Sequence, residues 1–148
     1  LFQSIALIAL AATGSHAMAA DDPERNRAFQ DHIAYVATFA IPVLSEKCAV
    51  IDPEYMKTVA PLYFRFVNER QDRIERGRLL TLAELAADET LQSYRSKVIA
   101  SRLGALDSGT AEQKARMCKG ALAVLSGMTV PGEWPSRDDG PDRNAAAK

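Results

Sequence analysis

Residues 53–77 gather more bulky apolar surface than any other stretch and constrain the fold of the chain most. Asp52 followed by Pro53 is typical of a helix start, because Asp accepts bonds from free amides and Pro suits the first turn. Gly77 is typical of a helix end, since glycine readily adopts the left-handed conformation that closes one. Bulky apolar residues recur between them in steps of three and four, which predicts one long helix at the centre of the molecule. These residues are Tyr55, Met56, Val59, Leu62, Tyr63, Phe66, Val67 and Ile74.

Three further helices are predicted from similar start and stop signals. Pro23 follows an Asp and opens an apolar stripe of helical period. Thr81 and Thr110 each begin a capping-box pattern, which predicts the starts of the third and fourth helices. Gly127 is expected to close the fourth helix.

The links between these helices are short, which favours antiparallel neighbours. The sequence therefore predicts an all-α fold, a four-helix up-down bundle, over residues 20–130. Pro42 and Pro61 each remove a backbone hydrogen bond, so the first two helices are expected to be kinked. Residues 131–148 are polar and rich in Pro and Gly, which predicts a flexible C-terminal tail.

Residues 1–19 are interpreted as a signal peptide. They contain no Asp, Glu, Lys or Arg, and an apolar run over 5–12 precedes small residues typical of a cleavage site. An N-terminal amphipathic helix of the domain is the alternative. With a leader, the chain would be periplasmic or secreted and would begin near Ala20.

The chain contains two cysteines, Cys48 and Cys118. An even pair in an exported domain predicts a disulfide bond. In an up-down bundle, this bond would join the end of the first helix to the start of the last. Two buried free thiols are the alternative.

The composition and motifs exclude several classes of function. The net charge is −1, so no overall basic field would attract nucleic acid or an anionic membrane. His32 is the only histidine after the leader, and no metal-binding, nucleotide-binding or hydrolase motif is present. His32 is expected to be a partly exposed helix residue. The sequence therefore predicts no cofactor, no metal site and no enzymatic activity; catalysis by carboxylates alone is the remaining enzymatic alternative.

Two surfaces are candidates for binding. The first is a protein-binding surface at the arginine-rich end of residues 53–77, together with the only tryptophan of the chain. An exported inhibitor or immunity-type protein is the class that this surface suggests, with another exported protein as partner. Its residues are Arg65, Arg70, Arg73, Arg76 and Trp134, with Arg78 beside them.

The alternative is a binding site for a small apolar ligand. Several aromatic residues fall near the two predicted proline bends, where matched kinks would open a cleft. They are Phe39, Tyr55, Tyr63, Phe64 and Tyr94.

The arginines of the first surface have a simpler interpretation. Acidic residues alternate with them, which predicts ion pairs four residues apart along an exposed helix.

Overall fold

The computed structural model describes residues 23–127, and these fold into helices without any strand. The all-α prediction is confirmed, but the described part of the chain forms five helices where four were predicted. They are α1 (Pro23–Ile51), α2 (Tyr55–Glu69), α3 (Gln71–Glu84), α4 (Leu91–Ser108) and α5 (Ala111–Leu125). The predicted leader at 1–19 and the predicted tail at 131–148 lie outside the described residues.

The central helix is α1, so the prediction that residues 53–77 occupy the centre is wrong. Five consecutive residues, 33–37, are buried on α1. Because successive helical residues are about 100° apart, five in a row cover the whole circumference. A helix that is apolar all round has to be enclosed, and each of the other four helices packs against α1.

By length and composition, α1 is also the one helix among residues 23–127 that could cross a membrane. Its most apolar 18-residue window is 56% buried inside the protein. The helices packed around α1 account for its apolar composition without a membrane.

Residues 53–77 do not form one helix. The chain leaves helical geometry at Arg70, where φ is −124° and ψ is 24°, and α3 begins at the next residue. Gly77 does not end a helix either, because it lies in the middle of α3. It is buried there against α1, where a Cβ atom would overlap the backbone carbonyl of Asp31. Glycine at this position therefore serves close packing of two helices.

The predicted capping signals have mixed outcomes. Thr110 forms the full capping box with Gln113, and Gly127 has a φ of +78° just after α5. Thr81 is wrong as a helix start: it is buried inside α3, and its hydroxyl donates to the carbonyl of Gly77 at 2.8 Å. Thr90 caps α4 instead, by accepting a bond from the amide of Ser93.

The first helix begins at Pro23 as predicted, whereas α2 begins slightly later than predicted. Asp52 accepts a bond from the amide of Glu54 at 3.0 Å, but α2 begins only at Tyr55. Pro42 and Pro61 both lie inside helices, α1 and α2, which continue beyond them.

The disulfide bond between Cys48 and Cys118 is confirmed, with the two Cα atoms 5.8 Å apart. It joins the last turn of α1 to the middle of α5 rather than to its start. The bond spans 70 residues of sequence, and a loop of that length stabilises the fold by about 4 kcal/mol in the chain-entropy treatment. A disulfide bond of this kind is typical of an oxidising compartment.

Two polar contacts show the direction of α4 relative to α1. Arg95 donates to the hydroxyl of Tyr35 at 2.9 Å, and Lys47 forms an ion pair with Asp107 at 3.2 Å. The second contact lies twelve residues beyond the first on both helices. The two helices therefore run parallel, and α4 covers the side of α1 that carries these residues.

We expect Gly77→Ala to lower the free energy of unfolding by about 2–3 kcal/mol, because the added methyl group overlaps backbone that cannot rotate away. The control is Gly104→Ala. Gly104 lies in α4 with open space around its Cα, so alanine there should raise the free energy of unfolding by about 0.5–1 kcal/mol. Urea unfolding of both variants tests the prediction. Equal effects in the two variants would contradict the close approach of α3 to α1.

Candidate functional site

A buried carboxylate, Asp31 of α1, is held by two arginines of α3. Its side chain is 3% exposed. Arg76 donates from Nε to Oδ2 at 2.8 Å and from Nη2 to Oδ1 at 3.2 Å. The Nε atom of Arg73 lies 3.3 Å from Oδ1. A buried charge is costly unless it is paired, so these contacts give Arg73 and Arg76 a structural role in joining α3 to α1.

The other arginines of the predicted binding surface are not grouped with this pair. The guanidinium of Arg70 lies 5.9 Å from the ring centre of Phe66, and Arg78 pairs with Glu75 at 2.7 Å. Arg65 is exposed on α2. Trp134 lies outside the described residues, and partner binding by this set stays a prediction.

His32 is hydrogen-bonded through both ring nitrogens. Its Nδ1 lies 3.2 Å from the Thr81 hydroxyl of α3, and its Nε2 lies 3.2 Å from the Tyr94 hydroxyl of α4. Thr81 already donates its proton to the carbonyl of Gly77, so its oxygen accepts from His32. This assigns the neutral tautomer with the proton on Nδ1, in which Nε2 accepts from Tyr94. His32 thus connects three helices, which sequence periodicity alone did not predict.

The hydrogen bonds of His32 with Thr81 and Tyr94 are typical of a structural contact between helices. Burial lowers the pKa of His32, and the charge of Glu84 opposes that shift only partly. Burial raises the pKa of Tyr94, so its proton stays in place. Within residues 23–127, no three His, Cys, Asp or Glu side chains come together to hold a metal ion. The predictions of no enzymatic activity and no cofactor remain predictions.

The five aromatic residues of the alternative ligand site are only partly brought together. Phe39 and Tyr94 have their ring centres 6.4 Å apart, and Tyr35 completes this group at 5.3 Å from Phe39. Tyr55 and Tyr63 instead donate to backbone carbonyls, those of Cys118 and Thr38. Phe64 is exposed on the surface.

One apolar face of α2 is left uncovered by the rest of the fold. Tyr55, Val59 and Phe66 are buried, whereas Met56 is 43% exposed and Phe64 is 69% exposed. Met56, Ala60 and Phe64 are four residues apart in turn, so they lie in one row along the helix. We call this row the α2 stripe. The described residues therefore cover only part of the apolar surface of α2.

A second set of exposed apolar residues lies on α3. Leu79 and Leu82 are each 49% exposed and are three residues apart. They lie on the side of α3 opposite the buried Gly77. Glu75 and its partner Arg78 precede them, so this patch is shorter than the α2 stripe and bordered by paired charges.

We expect Asp31→Asn to lower the free energy of unfolding by about 1–3 kcal/mol, because the neutral amide leaves two guanidinium groups without their carboxylate. Arg76→Gln should cost less, since Arg76 is half-exposed, and the double variant should lose less than the sum of the two. Asp107→Asn is the control, because it breaks an exposed ion pair and should change stability by less than about 1 kcal/mol. Additive losses in urea unfolding would contradict the pairing.

Stability should also fall in mild acid because of His32. A pKa below the usual 6.5 in the folded state means that the unfolded chain takes up the proton first. The stabilisation is therefore complete above pH 6.5 and is lost as the pH falls from there toward the folded pKa. His32→Gln should flatten this part of the pH profile of urea unfolding. An unchanged slope in the variant would contradict the buried, neutral histidine.

The chain matches no protein-family model, no curated protein and no solved structure.

Proposed function

We propose that this chain is an exported protein-binding module, with an inhibitor or immunity-type protein as the class that fits best. The leader-like residues 1–19 and the disulfide bond support export to the periplasm or beyond. In this proposal the chain acts by occupying a surface of another exported protein and catalyses no reaction. The proposed architecture is an up-down bundle in which α2 and α3 together take the place of the predicted second helix.

The α2 stripe is the observation that carries the proposal. Phe64 is a large aromatic side chain that is 69% exposed on a regular helix. Met56 lies two turns away in the same row, and both residue types are enriched at protein interfaces. A helix that presents apolar residues in one row is a common way to bind a groove or a second helix. The stripe is held rigidly, because another face of α2 is buried through Tyr55, Val59 and Phe66.

The predicted contact residues are revised by their surroundings. Arg73 and Arg76 hold Asp31, so charge reversal at these positions would damage the α1–α3 joint and would not isolate partner binding. Arg65 directly follows Phe64 and stands on the exposed side of α2. We therefore keep Arg65 in the proposed interface and assign Arg73 and Arg76 to the fold.

The proposal predicts that a photo-crosslinking amino acid at position 64 captures a specific exported protein in the producing cell. The same amino acid at Gln92, an exposed position on α4, should not capture it. Capture from a neighbouring stripe position, 60, should be lost in Phe64→Ser and retained in Leu79→Ser. Both serine variants should unfold at nearly the same urea concentration as the parent, since Phe64 is mostly exposed and Leu79 is half-exposed.

Mass spectrometry of the crosslinked band identifies the partner, and purified partner then gives the affinity. Removing a well-placed interface aromatic typically costs about 2 kcal/mol or more, which is roughly thirtyfold in Kd. If position 64 captures nothing above the Gln92 control, or if Leu79→Ser weakens binding as much as Phe64→Ser, then the α2 stripe is not the interface.

A further inference from the structure

The row of residues beside the α2 stripe carries two cations, Lys57 and Arg65. Lys57, Pro61 and Arg65 each follow one stripe residue, so they form the next four-residue row on the outer side of α2. Tyr63 and Val67 border the stripe on the inner side, where they are half-buried. The stripe is therefore apolar on one flank and cationic on the other.

The cations of this row are available for a partner. Arg65 has no ion pair among the described residues of the chain. Lys57 pairs with Glu54 at 2.8 Å, but both side chains are at least 70% exposed, and such pairs contribute little. Glu54 precedes the row and Glu69 follows it, so Lys57 and Arg65 are the charged residues of the row that stand beside the α2 stripe.

From this arrangement we propose the chemistry of the partner: an amphipathic helix whose apolar row lies on the α2 stripe and whose carboxylates face Lys57 and Arg65. The inference rests on the proposed function and names the kind of surface that it binds. Met56 to Phe64 spans about 12 Å along the helix axis, and so does Lys57 to Arg65. The matching helix needs about three turns, with its two carboxylates roughly two turns apart on one side of its apolar row.

The two rows contribute differently to binding. Burial of Phe64 and Met56 supplies most of the affinity, because apolar area removed from water is the main favourable term. The cations favour one orientation of the partner and negative charge beside its apolar row. Charges at the edge of an interface act chiefly on specificity and association rate. A partner with basic residues on that flank meets like charge at Arg65 and is disfavoured.

Two synthetic helical peptides test this chemistry with the full chain. Both carry leucines in one row over about three turns; one has glutamates beside that row and the other has lysines at the same positions. Fluorescence anisotropy at low salt should show the glutamate peptide binding at least about fivefold more tightly. Arg65→Glu should reverse the preference, whereas Arg116→Glu, which makes the same charge change on α5, should leave it unchanged. Phe64→Ser should abolish binding of both peptides.

Several results would overturn the assignment of an acidic helix. One is equal binding of the two peptides, and another is an equal effect of Arg65→Glu and Arg116→Glu. Sedimentation that shows self-association abolished by Phe64→Ser would assign the stripe to a second copy of this chain. A change in the emission of Trp134 on Phe64→Ser, without any added peptide, would assign it to the chain's own residues beyond 127. Crosslinking at position 64 reports on the proposed function independently, so partner capture together with any of these results would retain the module and reject the acidic helix.

Discussion

The need to enclose α1 determines how the other helices are placed. Residues 33–37 are buried in succession, and a helix that is apolar all round is stable in water only when neighbours cover every side. Four helices share this task, and the disulfide bond ties α5 to α1 through Cys48. Each covering helix contributes one face, so its outer face is free to vary in chemistry. The exposed apolar residues of α2 and α3 lie on such outer or lateral faces.

The covering helices are attached in two physically different ways. α2 buries three large side chains, Tyr55, Val59 and Phe66, whereas the buried residues of α3 are Gly77 and Thr81. α3 compensates with close backbone approach and with polar contacts to Asp31 and His32 of α1. Close packing and paired charges depend on geometry more steeply than apolar burial does. The attachment of α3 therefore depends on the residue types at a few positions. Among these, Gly77 tolerates substitution least, because an added side chain would overlap the backbone of Asp31.

The sequence predicted the parts of this structure that follow from local rules. Helical content, the caps at Thr110 and Gly127 and the pairing of two cysteines all depend on nearby residues or on a count. The errors occur where a residue has a distant partner. Gly77 and Thr81 carry the local signature of a helix end and a helix start, but their contacts with Asp31 and His32 decide their conformation. No Gly or Pro stands at the break at Arg70, and the helical spacing of the apolar residues continues through it.

The same limit applies to the candidate binding surface. A run of arginines with interleaved acids is compatible with an exposed face, a partner site or pairing with a distant carboxylate. Arg73 and Arg76 form ion pairs with such a distant carboxylate, Asp31. A binding surface is distinguished by exposed apolar area or charge that the rest of the fold does not cover or pair. Removing an exposed aromatic ring from water is favourable, and a cation at the edge of the buried area favours a partner that carries a carboxylate there. Phe64 and Arg65 are consecutive exposed residues of α2 that meet this description, which is why we propose the interface there.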